Sequence, residues 1–273
     1  MASSTAPLRR VLVRRPPADC SDWERYRWLA APDPAALSVE HESLCAALEE
    51  AGAEVVVAEP TTLDAIYVYD PALISDEGAV LLRPGKAERA EEPGALGPEL
   101  ERAGVKIAGR LGAPLLAEGG DFFWLDDRTL CGGRGYRTNS DGLQALERLL
   151  GMELLVFDLP HHHGPAACLH LLSLVSPLAD DLVVAYPPLL PVRLAQLLDE
   201  RGIGVVEVPD EEFETLGCNA LALAPRVALI PEQNHETRRR LEAAGVEVLV
   251  YRAAELSKGE GGPTCLTLPL QRG

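Results

Sequence analysis

The chain has 273 residues, and its 47% hydrophobic content is enough for a substantial core in one large domain or two ordinary ones. No run of about 18 apolar residues occurs, so no membrane-spanning helix is predicted, and a formal net charge of −17 disfavours nucleic acid and anionic membranes as partners. The N-terminal stretch lacks a secretory pattern and the six cysteines lack CxxC spacing, which predicts a cytoplasmic protein with reduced thiols and no structural zinc.

In chain order, one pattern occurs five times: a leucine-rich helical segment, a glycine, and a short β-branched strand. Apolar residues at three- and four-residue spacing predict the helices, and each glycine stands where a left-handed C-cap is expected. Two further segments, "DFFWLDDRTLCGG" and "CNALALAPRVALIP", predict hairpins that turn at Asp126-Asp127 and Ala224-Pro225. The five glycines, separated by 52, 47, 51 and 43 residues, are Gly52, Gly104, Gly151, Gly202 and Gly245.

The repeat predicts the architecture. A unit of a few strands and one helix cannot bury its own apolar face, so the five units must share one core. An ordinary α/β sheet also contains helix–glycine–strand segments and remains the alternative. The near-equal intervals favour a closed, propeller-like ring of five α/β modules, as a single domain over residues 1–273.

One distinctive polar or reactive residue follows each of these glycines, 17 to 20 residues further on. In a ring of like modules, equal offsets mean equivalent places, so these side chains should converge near the axis. Convergence favours a nucleophilic thiol at Cys265, in "EGGPTCLTLPL", over a cysteine that packs as a small hydrophobe. The paired glycines before it would then bend the backbone. The five residues are Asp70, Asp121, His170, Asn219 and Cys265.

Most of these motifs also have a simpler structural interpretation. Asp70 in "YVYDPALI" can begin a turn, His170 in "CLHLLSL" can be a satisfied core residue, and Arg137 in "RGYRTNSDG" can be a surface charge. Glu118 and Asp121 in "AEGGDFF" fit such an interpretation less well. Two carboxylates just before an apolar strand are costly unless a cation or backbone donors meet them.

A thiol, a histidine and several carboxylates together indicate a cationic substrate. Carboxylates beside a thiol disfavour the thiolate, unless the substrate brings positive charge. A planar guanidinium would pair with Asp70 and Glu118 through fork-shaped hydrogen bonds and turn its carbon towards Cys265. The run His161–His163 in "LPHHHGP" is a weaker alternative, a metal site, because adjacent histidines point in different directions and HxxxH spacing is absent. No metal and no cofactor is predicted.

The motifs "YVYDP", "EGGD", "RTN-DG", "LHL" and "GG-x-x-C", in this order, resemble the guanidine-modifying (pentein) superfamily. The superfamily contains arginine deiminases, amidinotransferases and dimethylarginine dimethylaminohydrolases, and the resemblance covers essentially the whole chain. It implies a five-bladed α/β propeller around a central active site, in agreement with the repeat count. Length and "RTNSDG" are most similar to dimethylarginine dimethylaminohydrolase, because arginine deiminases are usually longer and carry an aspartate where Leu172 stands.

The resemblance implies a catalytic role for three residues. Cys265 resembles the nucleophile and His170 the general acid/base. Glu118 is the third catalytic candidate. Together with Asp70, it resembles the carboxylates that bind the guanidinium. The other thiols lack a comparable polar setting; these are Cys20, Cys45, Cys131, Cys168 and Cys218.

The resemblance also implies substrate-binding residues. Arg89 in "RPGKAER" and Arg137 resemble the arginines that hold the substrate carboxylate, each projecting from a loop at a module edge. Asp64 resembles the residue near the α-amino group, and Asp121 supports the site. Two features depart from the pattern: Tyr69 stands where the dimethylarginine hydrolases usually carry glutamate, and "DCSDWERYRWLAAPDP" replaces a short lid loop.

The predicted function is cofactor-independent hydrolysis of a guanidino group. The foremost substrate is N-ω-methylated arginine, converted to citrulline and an alkylamine through a covalent cysteine thiouronium intermediate. Arginine deiminase- or amidinotransferase-like activity on another guanidino compound is the nearest alternative, and a catalytically silent guanidino-binding protein is the alternative outside enzymes. The predicted partner is a small guanidino molecule, without nucleic acid or membrane, and a homodimer is left open.

Overall fold

Five small sheets dominate the computed structural model of the chain, which describes residues 3–167 and 169–273. In every sheet the first and second strands are antiparallel, whereas the second and third are parallel. The strands are β1 (Leu8–Arg14), β2 (Glu54–Ala58), β3 (Ala72–Ser75), β4 (Gly78–Leu81), β5 (Ile107–Arg110), β6 (Phe122–Asp126), β7 (Thr129–Arg134), β8 (Leu154–Asp158), β9 (Val175–Ala179), β10 (Leu182–Ala185), β11 (Gly204–Glu207), β12 (Leu221–Ala224), β13 (Val227–Pro231), β14 (Glu247–Tyr251) and β15 (Leu268–Arg272).

A helix connects the second strand of each sheet to the third, as a parallel strand pair requires. The first helix begins after Asp33, whose carboxylate accepts backbone N–H groups of the first turn. In the described part of the chain, no helix is long and apolar enough to cross a membrane. The helices are α1 (Pro34–Glu50), α2 (Glu92–Arg102), α3 (Ser140–Leu150), α4 (Val192–Glu200), the four-residue α5 (Asp210–Phe213) before β12, and α6 (His235–Ala243).

Each sheet with its connecting helix forms one module, and the five modules match the five predicted repeats. Module 1 contains β15, β1 and β2, so the two ends of the chain meet in one sheet; modules 2 to 5 contain β3–β5, β6–β8, β9–β11 and β12–β14. The glycine after each connecting helix has a φ between 65° and 89°, which confirms the predicted left-handed caps. Residues with a Cβ rarely adopt this conformation, which explains the glycine.

The two predicted hairpins form, but each turns one residue later than predicted. Between β6 and β7 the turn lies at residues 127–128, because the Asp126 carboxylate accepts the backbone N–H of Arg128 at 2.9 Å and keeps Asp126 in the strand. Between β12 and β13 it lies at residues 225–226, where Arg226 has a φ of 61°.

The hydrophobic core shows how the modules close into a ring. Among the described residues, the buried apolar side chains divide into five clusters, and each cluster joins two neighbouring modules. Every module therefore buries apolar surface against both neighbours, which excludes a single open sheet. Representative pairs are Leu12 with Leu81 (modules 1 and 2), Val80 with Leu130 (2 and 3), Phe123 with Val183 (3 and 4), Val184 with Ala228 (4 and 5), and Leu229 with Leu37 (5 and 1).

Candidate active site

The five residues with equal offsets from the glycines lie at equivalent places, each just before the first strand of its module. They also meet. Asp70 Oδ1 lies 4.0 Å from His170 Nδ1, and Asn219 Nδ2 donates a hydrogen bond to Cys265 Sγ at 3.4 Å. Asp121 Oδ1 accepts the backbone N–H of the residue after His170 at 3.0 Å. The predicted convergence on the axis of the ring is observed.

A cleft opens at this meeting point. Glu118 and Asp121 are fully buried and lie behind its wall, so neither lines the cleft directly. Lys86 and Glu260 also line it and were not predicted, although Lys86 stands in "RPGKAER" and Glu260 opens "EGGPTC". The predicted residues that line the cleft are Asp64, Asp70, Arg89, Arg137, His170 and Cys265.

Cys265 is half-buried, and its surroundings explain the glycines that precede it. A Cβ on Gly262 would lie 2.6 Å from Asn219 Oδ1, and one on Gly261 would lie 2.1 Å from Tyr67 Cε1. Neither glycine has a positive φ, so their small size rather than a special backbone bend is required. With these glycines in place, the Asn219 amide reaches the sulfur and can stabilise negative charge on it.

The other described cysteines lie away from the cleft. Burial raises the pKa of the Cys20 thiol, that of Cys45 to about 11 and that of Cys131 to about 12. Burial also raises the pKa of Cys218. Cys168 lies outside the described residues. A thiol with a raised pKa is a poor nucleophile at neutral pH.

His170 is held by a buried carboxylate. Its Nε2 donates to Glu118 Oε2 at 2.6 Å, while Glu118 Oε1 accepts from Arg137 Nε at 2.9 Å and from the Gly85 backbone N–H at 2.8 Å. Burial alone would raise the pKa of Glu118, but Arg137 and His170 hold it well below its usual range. Glu118 is therefore an anion that orients the imidazole. The ring is also held closely by the backbone, since a Cβ on Gly120 would lie 2.5 Å from His170 Nδ1.

Arg89 differs from the expectation that it projects from a loop edge. Its side chain is only 3% exposed, because the short turn before α2 directs it inward. It donates to Asp70 Oδ2 at 2.5 Å, to both carboxylate oxygens of Glu92, and to the Tyr67 carbonyl at 2.9 Å. Burial lowers the pKa of Arg89, but the two carboxylates raise it well above its usual value, so it stays a cation. Its binding of a substrate carboxylate stays a prediction.

Asp64 joins the cleft to the N-terminal segment. Its Oδ1 accepts from Trp28 Nε1 at 2.7 Å, and its Oδ2 forms an ion pair with Lys86. Lys86 also donates to the Tyr26 carbonyl. The divergent segment "DCSDWERYRW" thus supplies Tyr26 and Arg27 to the wall of the cleft and Trp28 behind it.

Asp121 links the two catalytic candidates from behind. Thr138 Oγ1 donates to Asp121 Oδ2 at 2.5 Å and accepts the Glu118 backbone N–H at 3.1 Å. Burial raises the pKa of Asp121 to about 6. Because its other oxygen binds the turn that follows His170, Asp121 fixes the positions of both the histidine and its carboxylate partner.

Tyr69, the departure expected to bear on substrate choice, does not line the cleft. Its hydroxyl donates to the Phe122 carbonyl at 3.3 Å, both residues line a separate cavity, and burial raises the pKa of Tyr69 to about 12. Only its backbone takes part in the site, donating to the Cys265 carbonyl at 3.2 Å.

Among the described residues, two groups of side chains have donor atoms close enough to hold a metal ion. The first, Asp70, Glu118 and His170, belongs to the cleft. Its two carboxylates already accept from Arg89 and Arg137, so a metal would have to displace two guanidinium groups. The second group lies outside the cleft.

Comparisons with known proteins agree with this geometry. A family model described as arginine deiminase matches residues 188–272. The arginine deiminase of Rhodococcus erythropolis (strain PR4) is 32% identical over 187 residues, which cover 57% of this chain and 46% of that protein. The match thus spans about half the length of such relatives. The N(G),N(G)-dimethylarginine dimethylaminohydrolase of Pseudomonas aeruginosa is 24% identical over 265 residues, covering 96% of this chain and 99% of that one.

Solved structures show the same fold. A dimethylarginine dimethylaminohydrolase from Pseudomonas aeruginosa, in complex with citrulline, superposes with a TM-score of 0.79 at 22% identity, covering 96% of this chain and 99% of that one. The N-terminal domain of ArgZ, a cyanobacterial arginine dihydrolase bound to product, superposes with a TM-score of 0.84 at 21% identity, with coverages of 96% and 97%. The predicted five-bladed α/β propeller is confirmed. The chain therefore has the pentein fold over 96% of its length, and its sequence is similar both to arginine deiminases and to a dimethylarginine dimethylaminohydrolase.

Proposed function

We propose that this chain hydrolyses the guanidino group of an arginine-like substrate, with Cys265 as the nucleophile. The observation that carries the proposal is a single cleft lined by Cys265, His170 and Asp70, with Glu118 directly behind the histidine. Guanidino hydrolysis needs a nucleophile, a proton carrier and a partner for the cation. The thiol, which accepts an amide N–H, supplies the first, the oriented imidazole supplies the second, and the carboxylate supplies the third.

In the first half of the reaction, the Cys265 thiolate adds to the guanidinium carbon to form a tetrahedral species. This species collapses by breaking a carbon–nitrogen bond, and His170 gives its proton to the departing amine. The product of this half is a covalent thiouronium cation on the sulfur. The Glu118 carboxylate stabilises the protonated imidazole before the transfer and keeps the ring orientation fixed.

In the second half, His170 is neutral and removes a proton from water as the water attacks the thiouronium carbon. The carbon–sulfur bond then breaks, which releases a ureido product and restores the Cys265 thiolate. Asp70 faces the cation throughout, and the guanidinium of Arg89 holds Asp70 in place.

The far end of the substrate is assigned to other charged groups that line the same cleft. Arg137 lines the cleft with a side chain that is 12% exposed, so its guanidinium can bind a carboxylate while its Nε remains bonded to Glu118. Asp64 can pair with an α-amino group, and Lys86 can pair with an α-carboxylate. In the structure these two side chains pair with each other. A substrate with both charges therefore suits this cleft.

The foremost substrate in this proposal is N-ω-methylated arginine, with citrulline and methylamine or dimethylamine as products. Similarity to a dimethylarginine hydrolase over 96% of the chain supports it. The arginine deiminase match supports a second candidate, conversion of arginine to citrulline and ammonia. Assays of ureido product across arginine, methylated arginines, agmatine and simple guanidino acids, with identification of the amine, separate the two.

The covalent step has its own test. Cys265→Ser should abolish turnover, because a neutral hydroxyl is a far weaker nucleophile than a thiolate. A chloroacetamidine should alkylate one cysteine in the wild type, and substrate should protect it. Full activity in the folded Cys265→Ser protein would end the covalent mechanism. Absence of both turnover and adduct would leave a guanidino-binding protein.

A further inference from the structure

The histidine run His161–His163 has no part in the proposed reaction, yet it stands in the loop that leads from β8 to His170. The expectation that adjacent histidines point apart does not hold for two of them. His162 has a φ of 45°, and the rings of His162 and His163 lie side by side with centroids 3.9 Å apart. His161 turns away instead, with its Nδ1 2.7 Å from the Tyr136 hydroxyl.

A carboxylate from another module meets this pair. Glu214 follows α5, and its Oε1 lies 3.8 Å from His162 Nε2 and 4.0 Å from His163 Nε2. Phe213 packs edge-on against the His162 ring, with centroids 5.9 Å apart, so an apolar side chain backs the group. The ligand atoms of the three residues all lie within 4.8 Å of one another.

From this geometry we infer that His162, His163 and Glu214 form a binding site for a divalent transition-metal ion, with zinc as the best match. Two imidazole nitrogens and one carboxylate oxygen are a ligand set that zinc takes in tetrahedral sites with a fourth position left for water or another ligand. Imidazole ligands favour zinc, copper or nickel over magnesium and calcium, which prefer oxygen alone.

The distances fit after a small adjustment. Zinc bonds of about 2.0–2.1 Å in a tetrahedral site place the ligand atoms roughly 3.4 Å apart. The observed separations of 3.8 and 4.0 Å must therefore shorten by about half an ångström. Rotation of the His163 and Glu214 side chains can achieve this, because they are 71% and 69% exposed and no core packing opposes their movement.

The position of the site connects it to the cleft. Asn219 and Glu260 line the same cavity as the three ligands, and Glu260 also lines the catalytic cleft. An ion held there would tie the loop that carries His170 to the connection that precedes Asn219. The inference goes beyond guanidino hydrolysis, since none of the three ligands belongs to the catalytic cleft.

The test is a titration of the chelator-treated full chain with Co²⁺, a coloured substitute for zinc, at pH 7.5. We expect saturation at one equivalent, visible bands of a four- or five-coordinate ion, no thiolate-to-metal charge-transfer band, and displacement by Zn²⁺. His163→Ala and Glu214→Gln should each weaken binding by about 10-fold or more. His161→Ala, from the same run, is the matched control and should bind as the wild type does.

Three results would overturn the inference. These are the absence of saturable binding, binding by His163→Ala and Glu214→Gln that is as tight as that of the wild type, and a charge-transfer band that disappears with Cys265→Ser. The last would place the ion on the catalytic thiol. Circular dichroism of the variants without metal checks that they are folded. The readout is absorbance and not turnover. Absence of metal binding would therefore leave the proposed hydrolase activity standing, and absence of hydrolase activity would leave the metal site standing.

Discussion

Arg89→Met removes the cation that two buried carboxylates share. In the native chain, Arg89 donates to Asp70 and to both oxygens of Glu92, and the three side chains are at most 7% exposed. Methionine keeps an unbranched side chain to fill the space but carries no charge. The variant therefore buries two carboxylates without their partner.

The expected loss follows from this burial. Removing one partner of a buried ion pair costs about 3–5 kcal/mol of unfolding free energy, compared with about 0–1 kcal/mol for an exposed pair. For 273 residues, an unfolding entropy of about 2.1 cal/mol/K per residue gives roughly 0.6 kcal/mol/K. The melting temperature should then fall by about 5–9 °C.

The loss should also depend on pH. Burial raises the pKa of Glu92 in the native chain, although Arg89 lowers it. Without Arg89, the folded-state pKa of Glu92 rises further above its value in the unfolded chain. The folded variant then takes up a proton that the unfolded chain does not, so it regains stability as the pH falls. The penalty should be larger at pH 8 than at pH 5.

Urea unfolding followed by circular dichroism at pH 5 and pH 8 measures both effects. The double variant Arg89→Met/Glu92→Gln should be more stable at pH 8 than Arg89→Met alone, because one unpaired charge is gone. Arg238→Met is the matched control, since Arg238 pairs with Glu242 at 45% and 47% exposure. A loss for Arg89→Met no larger than that of Arg238→Met, at both pH values, would refute the reasoning. Normal stability with a selective loss of turnover on carboxylate substrates would instead make Arg89 part of the substrate clamp.

Three further predictions concern the groups around His170. Gly120→Ala would place a methyl group 2.5 Å from His170 Nδ1 and should lower kcat/KM by about 10-fold or more. Gly112→Ala is the control and should keep the wild-type kcat/KM, because its Cβ would meet nothing within 4 Å. Equal activities of the two variants would contradict the close approach. Arg137→Ala should lower kcat/KM on arginine-like acids about 10- to 150-fold more than on agmatine, which lacks a carboxylate, from the loss of roughly 1.5–3 kcal/mol. If agmatine is the better wild-type substrate, the carboxylate clamp is wrong. Because burial raises the pKa of Asp121 to about 6, above its unfolded value of about 3.9, the folded state takes up the extra proton as the pH falls. As the pH rises from 4 to 7 that proton is lost, so the unfolding free energy of the wild type, measured in urea, should fall relative to that of Asp121→Asn by roughly 2 kcal/mol, and a pH-independent difference would contradict this.

Local signals in the sequence determined the module plan. A left-handed residue at the end of a helix needs glycine whatever lies elsewhere in the fold, so Gly52 and its four counterparts marked the helix ends directly. Their spacing then indicated five like modules, and equal offsets placed His170 and Cys265 at one centre. These inferences succeeded because each depends on residues close together in the chain.

Which charged and polar side chains pair with one another was decided only by the tertiary structure. The burial of Arg89 between Asp70 and Glu92 depends on how the turn before α2 folds against a neighbouring strand, and nothing in "RPGKAER" shows it. Glu214 lies 52 residues or fewer from the histidines it meets, but no repeat or motif connects them. Even "GGPTC" was explained by a contact across modules, since Gly262 makes room for Asn219. Side-chain partners depend on proximity in space, which a chain acquires only when each module folds and the modules pack into a ring.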